Sequence, residues 1–224
     1  KIKKLDQNLR PPQAIYESMQ KIYLFASISS MRVECQLNEI VGTFDKDDVD
    51  YSLLKGAAYS IFLYEKPGLR VFNDIDILVR EKNYLVARSI LEKIGYSTND
   101  NIFKELKEID IEETFTHKNN PKNKKPIDLH WAIHGCRKMV KYGDEDEYLK
   151  NSVSINKYKI LSPTDAFIHS ACHNSLIHSH ELIIKNIIVL SLLAHKITLS
   201  GDWNKFLKIV KTHDLSEITL FSIR

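Results

Sequence analysis

NDIDILV, Asn73 to Val79, is an apolar run that carries two carboxylates at alternate positions. In an extended strand side chains alternate between faces. Asp74 and Asp76 then share one face, and Ile75, Ile77 and Val79 share the other. Two neighbouring carboxylates on one face of a packed strand repel each other unless a cation lies between them. Oxygen ligands of this kind suit a hard divalent ion, Mg2+ or Mn2+.

Upstream of this run, Ser52 to Lys55 reads as a short strand and Ala57 to Tyr64 as a helix, with Gly56 between them. A glycine there lets backbone N–H groups approach phosphate oxygens, and the helix N-terminus adds a favourable dipole. Lys55 adds charge. Any strand-to-helix turn can also use glycine for purely structural reasons. Arg70 follows the turn signal Pro67-Gly68. It is suited to phosphate, which it can hold bidentately, or to pairing with the acidic cluster Asp45, Asp47, Asp48 and Asp50. That cluster lacks the glycine and glutamate spacing of a calcium loop and reads as a solvated turn.

Downstream, Glu81 to Ile94 reads as a helix with Tyr84, Ala87, Leu91 and Ile94 on one face and Gly95 as its terminator. Ile111 to His117 reads as a strand, Lys118 to Pro126 as a polar, basic turn, and Ile127 to Trp131 as another strand. In that last strand Ile127, Leu129 and Trp131 share one face, and Asp128 and His130 the other. If it lies beside the Asp74–Asp76 strand, Asp128 completes a cluster of three carboxylates, the donor set for two metal ions in phosphoryl-type transfer. Otherwise Asp128 caps a turn or pairs with a nearby lysine.

The flanks are helical. From Pro11-Pro12 to Val41 there is one long helix or two shorter ones, with Gly42 as a plausible stop. Ser162, Pro163 and Asp165 form an N-terminal cap for a helix running to about Ser179. Helices over Glu181 to Lys196 and Asp202 to Thr212 follow, the last anchored by Trp203. The expected division is a helical segment 1–50, an α/β core 51–160 and a helical region 161–224.

The 224 residues carry a net charge of +3, too small to argue for a nucleic-acid partner, and the basic turn lacks the aromatic interleaving that stacks bases. The three cysteines, Cys35, Cys136 and Cys172, form no ligand pair at short spacing and fit a reducing, cytoplasmic setting. No signal peptide is read, and the apolar run Leu182 to Ala194 is short of the roughly 20 residues a membrane span needs. His169 and His173 share a helical face, His178 and His180 follow, and His130 and His134 have the same spacing. Zinc is the alternative, but His169 and His173 fit packing or substrate-facing roles better. His130 fits a supporting partner of the Asp128 cluster.

The order strand-Gly-helix, Arg, Asp-x-Asp, helix, third Asp resembles the nucleotidyltransferase superfamily of the DNA polymerase β type. It is most similar to a less characterised bacterial family within it. The motifs are LLKGAAYSIFLY from Leu53, LR at Leu69-Arg70, DIDILV at Asp74 to Val79, GY at Gly95-Tyr96 and DLHW at Asp128 to Trp131. Leu161 to His178 looks like that family's helical part. The resemblance spans about Tyr51 to His195. It implies an α+β fold, a mixed sheet with helices, and metal roles for Asp74, Asp76 and Asp128. It also implies nucleotide binding at Lys55, Gly56, Ala57 and Arg70. The superfamily's turn usually reads Gly-Gly or Gly-Ser; here Ala57 follows Gly56, and Lys55 and Arg70 are placed to compensate. The implied reaction moves a nucleoside monophosphate from a nucleoside triphosphate such as ATP to an acceptor hydroxyl, with Mg2+ or Mn2+, releasing pyrophosphate. The rivals are a non-catalytic member that binds nucleotide or a partner, and a phosphohydrolase built on the histidine-rich helix. The acceptor (small molecule, RNA or protein) is not legible.

Overall fold

The computed structural model describes residues 6, 9–66, 68–98, 110–133, 145–176 and 184–223. His134, Cys136, His178 and His180 lie outside them, as do the expected end of one helix at Ser179 and the start of the next at Glu181.

Helix α1 (Gln13–Lys46) is a single helix that runs through Gly42. The expected stop fails because the buried face of Leu37, Ile40, Val41 and Phe44 continues past that glycine. Its terminator is instead Asp48, at φ 53°. A short acidic side chain tolerates this left-handed geometry better than most residues.

Then come β1 (Tyr51–Leu53), α2 (Lys55–Phe62), β2 (Ile75–Val79), α3 (Tyr84–Lys93), β3 (Tyr96–Ser97), β4 (Glu112–His117) and β5 (Ile127–His130). The chain continues through α4 (Glu145–Asn151), β6 (Val153–Ile155), β7 (Tyr158–Ile160), α5 (Pro163–Leu176), α6 (Ile184–Ser200), α7 (Trp203–Thr212) and α8 (Ser216–Ile223). Among these, β3, β6, β7, α4 and α8 were not anticipated from the sequence. The expected helix from Glu81 opens as a 3-10 turn, Glu81–Asn83, before α3.

The strands form one mixed sheet in the order β3-β4-β5-β2-β1-β7-β6, which is the α+β architecture expected. Strand β2 is central, parallel to β5 and antiparallel to β1. It is buried along its whole length. A strand covered on both faces normally reads as a continuous apolar run; Asp76 is the exception. One sheet face packs Phe115, Ile127, Leu129 and Trp131, all fully buried, with Tyr84 of α3 edge-on to Trp131 at 5.0 Å. The buried Glu113 on this face accepts from Tyr84 Oη and from Arg88 Nη1, the latter at 3.2 Å.

Two surface turns are tied to the rest of the fold. The acidic turn is not wholly solvated, since Asp50 pairs with Lys159 Nζ at 2.6 Å and Arg80 Nη1 at 2.7 Å. The basic turn is clasped to α1: Lys124 pairs with Glu39 at 2.6 Å, and Gln36 exchanges hydrogen bonds with the backbone of Lys125 at 2.7 and 2.9 Å.

At α5 the expected cap forms. Ser162 Oγ accepts from the Asp165 N–H at 3.2 Å and donates to Asp165 Oδ2 at 2.7 Å. Tyr59 of α2 donates to the Ala166 carbonyl at 3.3 Å and also bonds the Ser170 hydroxyl, tying α5 to the sheet domain's first helix. Trp203 anchors α7 through Thr198 Oγ1 at 2.9 Å and an edge contact with Phe206 at 5.3 Å. Among the described residues no single helix is long and apolar enough to cross a membrane.

Candidate active site

The register of the central strands decides the site. β2 and β5 pair in parallel with Asp76 directly opposite Asp128. Neighbouring strands lie about 4.8 Å apart, so the two carboxylates leave the same sheet face side by side. Asp74 lies just before β2, because the ladder starts where the Ile75 N–H donates to the Pro126 carbonyl at 2.9 Å. It nevertheless lines the same cleft as Asp76 and Asp128.

That cleft has a volume of about 460 Å³. Its floor is the carboxylate edge of the sheet. One side is the loop bearing Arg70, Phe72 and Asp74, and the facing side comes from α5 and α6, including His169, His173 and Lys185.

Asp76 is held from behind. Its Oδ1 accepts from Lys55 Nζ at 2.9 Å and faces His130 Nε2 at 3.1 Å, while the buried Oδ2 takes no hydrogen bond. The other ring nitrogen of His130 lies 2.9 Å from Glu112 Oε2, a residue of β4 paired opposite His130. Asp76, Glu112 and His130 are the described residues whose ligand atoms lie within 4.8 Å of one another. Burial alone would push the His130 imidazole toward neutrality, but Asp76 and Glu112 outweigh it and raise its pKa. Both ring nitrogens face carboxylate oxygens, Nε2 toward Asp76 and Nδ1 toward Glu112. His130 is therefore a bridge between two carboxylates. Within the carboxylate cluster it contacts Asp76, while Asp128 Oδ1 accepts from Thr114 Oγ1 at 2.7 Å.

The same contacts divide the carboxylates electrostatically. Burial would raise Asp76, yet His130 and Lys55 hold it at about 2. Glu112 is likewise lowered against its burial, chiefly by His130. Asp74 is raised by burial and then by the Asp76 charge. Asp128 is raised by burial and by Asp76 and Glu112, against the Thr114 hydrogen bond. Two carboxylates whose charged forms are disfavoured flank one that is firmly ionised, an arrangement that a bound cation relieves.

The strand-to-helix turn has one left-handed residue. Gly56 lines the cleft, but its φ is not positive; the left-handed residue is Lys55, at φ 41°. Such a conformation costs a lysine about 1–2 kcal/mol, and it sits where Nζ reaches Asp76. A glycine is needed at 56 because a Cβ there would lie 2.5 Å from Phe72 Cβ. Ala57 is fully buried and adds no surface to the cleft, so its expected contact with nucleotide has no side-chain basis. Arg70 lines the cleft, has no carboxylate partner among the described residues, and leaves its buried Nε without a hydrogen bond. Its alternative as a partner of the acidic cluster is overturned, since Arg80 and Lys159 fill that role.

His169 and His173 both line the cleft, their ring centroids 6.1 Å apart. They join no group of three ligands among the described residues, and protein zinc sites need at least three. Sequence reasoning missed Glu112, Thr114 and Lys185. Alternation within Glu112–Thr116 places Glu112 and Thr114 on one face, but only the pairing with β5 shows that this face carries the aspartates.

Comparison with known proteins follows the same outline. Among proteins of curated function none matches the sequence. The solution structure of the antibiotic-resistance factor ANT(2'')-Ia superposes with a TM-score of 0.53 at 10% identity, over 81% of this chain and 92% of that one. The crystal structure of ANT(2'')-Ia in complex with adenylyl-2''-tobramycin gives 0.56 at 12% identity, over 80% and 97%. At such identities the shared property is the fold. The model of a family described as uncharacterised nucleotidyltransferases matches residues 1–224, and the chain belongs to that family.

Proposed function

We propose that the cleft binds a nucleoside triphosphate with Mg2+ or Mn2+ and transfers the nucleoside monophosphate to a hydroxyl of an acceptor. The observation that carries this reading is the in-register pair Asp76–Asp128, with Asp74 on the same cleft. The donor set fits the metal. It is all carboxylate oxygen, and Asp76 presents a buried oxygen that no protein group satisfies. Asp74, Asp76 and Asp128 would hold the ion or ions. When bound, the metal supplies charge neutralisation on the phosphates and a lowered pKa for the acceptor hydroxyl.

The protein's own groups have distinct roles. Lys55 and His130 fix Asp76 by its Oδ1 and leave Oδ2 to the site. Glu112 holds His130 from the other side. Arg70 supplies a cation for the triphosphate. Asp128, in register with Asp76 on the same sheet face, favours deprotonation of the acceptor hydroxyl and takes its proton. The acceptor oxygen forms a bond to the α-phosphorus, the bond from that phosphorus to the β-bridging oxygen breaks, and its electron pair leaves with pyrophosphate. The adenylylated antibiotic in the complex of ANT(2'')-Ia is a product of this reaction type and supports the reading.

The test is incubation with each α-labelled nucleoside triphosphate, Mg2+ and a cell extract, with Asp76→Asn and Asp128→Asn as controls. Label transfer that both substitutions reduce at least a hundredfold supports the assignment. A folded protein that binds Mg2+ and nucleotide but labels no acceptor would sink it. Zinc binding that survives Asp76→Asn and is lost in His169→Ala would point instead to the histidine helix.

A further inference from the structure

The two sides of the cleft differ in charge, and the difference concerns the acceptor. Every described carboxylate that lines it, Asp74, Asp76, Glu112 and Asp128, belongs to the sheet side. These are engaged with one another's partners or assigned to the metal. The helical side presents His173 and Asn174 from α5 and Lys185 and Asn186 from α6. Among the described residues, Lys185 has no ion-pair partner, and neither asparagine spends its side chain on a protein hydrogen bond. Asn174 of α5 and Lys185 and Asn186 of α6 thus converge on one cleft with their donors uncommitted among the described residues.

Such a wall recognises anionic and hydroxylic groups. Ammonium and amide N–H groups donate to phosphate or carboxylate oxygens, and the Lys185 charge strengthens those bonds. A polycationic acceptor would need carboxylates here, and would instead bring its ammonium groups against Lys185. The cleft's volume of about 460 Å³ lies in the range of small-molecule sites. Resting on the transferase reading above, we propose that the acceptor is a small hydroxyl compound bearing a phosphate or carboxylate group, held by His173, Asn174, Lys185 and Asn186.

The experiment separates acceptor charge and size before the assay. A cell extract is passed through a low-mass ultrafilter, and the filtrate is split into anion-exchange, cation-exchange and unretained fractions. Each is then offered with α-labelled nucleoside triphosphate and Mg2+. Acceptor activity is expected in the filtrate, retained by the anion exchanger. Phosphatase treatment of that fraction distinguishes a phosphate from a carboxylate by whether activity disappears. Lys185→Glu is expected to raise the acceptor KM about tenfold or more, the weight of one charge-assisted hydrogen bond, with a smaller effect on the nucleotide KM. Activity confined to the cation-exchange, unretained or high-mass fractions overturns the proposal while leaving the transfer reading intact. So does an acceptor KM unmoved by Lys185→Glu. No label in any fraction, with Mg2+ and nucleotide bound, overturns both.

Discussion

Gly56→Ala tests how the loop bearing Asp74 is seated. The added Cβ would lie 2.5 Å from Phe72 Cβ, 2.9 Å from Cγ and 3.3 Å from Cδ2, where ordinary contact begins at 3.4 Å. The shortest contact is to Cβ, so a change of Phe72 rotamer does not relieve it. The backbone near Phe72 or the start of α2 must retreat by about 0.9 Å, the gap between 2.5 and 3.4 Å. Overpacking of this kind costs about 1–3 kcal/mol. The gain in helix propensity from Gly to Ala returns at most about 1 kcal/mol, so the expected net loss is up to about 2 kcal/mol. Urea unfolding, followed by circular dichroism, measures it. Activity is expected to fall further than stability. Asp74 is two residues beyond Phe72, and a displacement near 1 Å in a catalytic group can cost about a hundredfold. The double variants sharpen the test. Phe72→Ala keeps the offending Cβ and rescues neither property, whereas Phe72→Gly removes it and restores Asp74 placement, read as Mn2+ affinity. A Gly56→Ala protein with wild-type stability and metal affinity would refute the close approach, as would rescue by Phe72→Ala.

Other consequences are simpler to test. Asp50 is lowered, because Lys159 and Arg80 outweigh its burial. A depressed carboxylate stabilises above its unfolded pKa near 4 and loses that contribution as pH falls through the folded value. Asp50→Asn should therefore cost about 1 kcal/mol at neutral pH, less in high salt, and flatten the loss of stability below pH about 4; an unchanged acid limb would refute it. Tyr84→Phe removes a donor from the buried Glu113, leaving Arg88; the expected loss is about 1–3 kcal/mol in urea unfolding, absent when Glu113 is already Ala. Gly95→Ala forces φ +96° on a residue with a Cβ and places it 3.1 Å from His117 Nε2. It should lower stability by about 1–2 kcal/mol, and a neutral result would count against the turn geometry.

Several structural features were readable because they depend on local pattern. The apolar alternation of Ile127, Leu129 and Trp131 predicts their burial on one face, and all three are fully buried. Ser162 and Asp165 form their cap because the spacing of a capping box is itself a local geometry. Gly95 ends its helix at positive φ for the same reason. Reading failed where the deciding contact is distant in sequence. Gly42 looked like a stop, but the buried face around it is completed by the rest of the core. Two reasons for a glycine at 56 were open, and the need set by Phe72 shows only in the packed loop. His130 was placed with the carboxylate cluster, but that it meets Asp76 there is decided by strand pairing.

What the sequence determined alone is the chemistry on offer: alternate carboxylates in apolar strands, an ordered set of motifs and the helical flanks. Side-chain alternation and helical periodicity are properties of the local backbone, so they are written residue by residue. Tertiary structure decided which of those groups meet. Strand register set Asp76 beside Asp128, the antiparallel partner brought Glu112 to His130, and the packing of α5 and α6 on the sheet brought Lys185 to the same cleft. A strand pattern specifies a face but not its neighbour, because pairing is settled by the burial of the whole sheet.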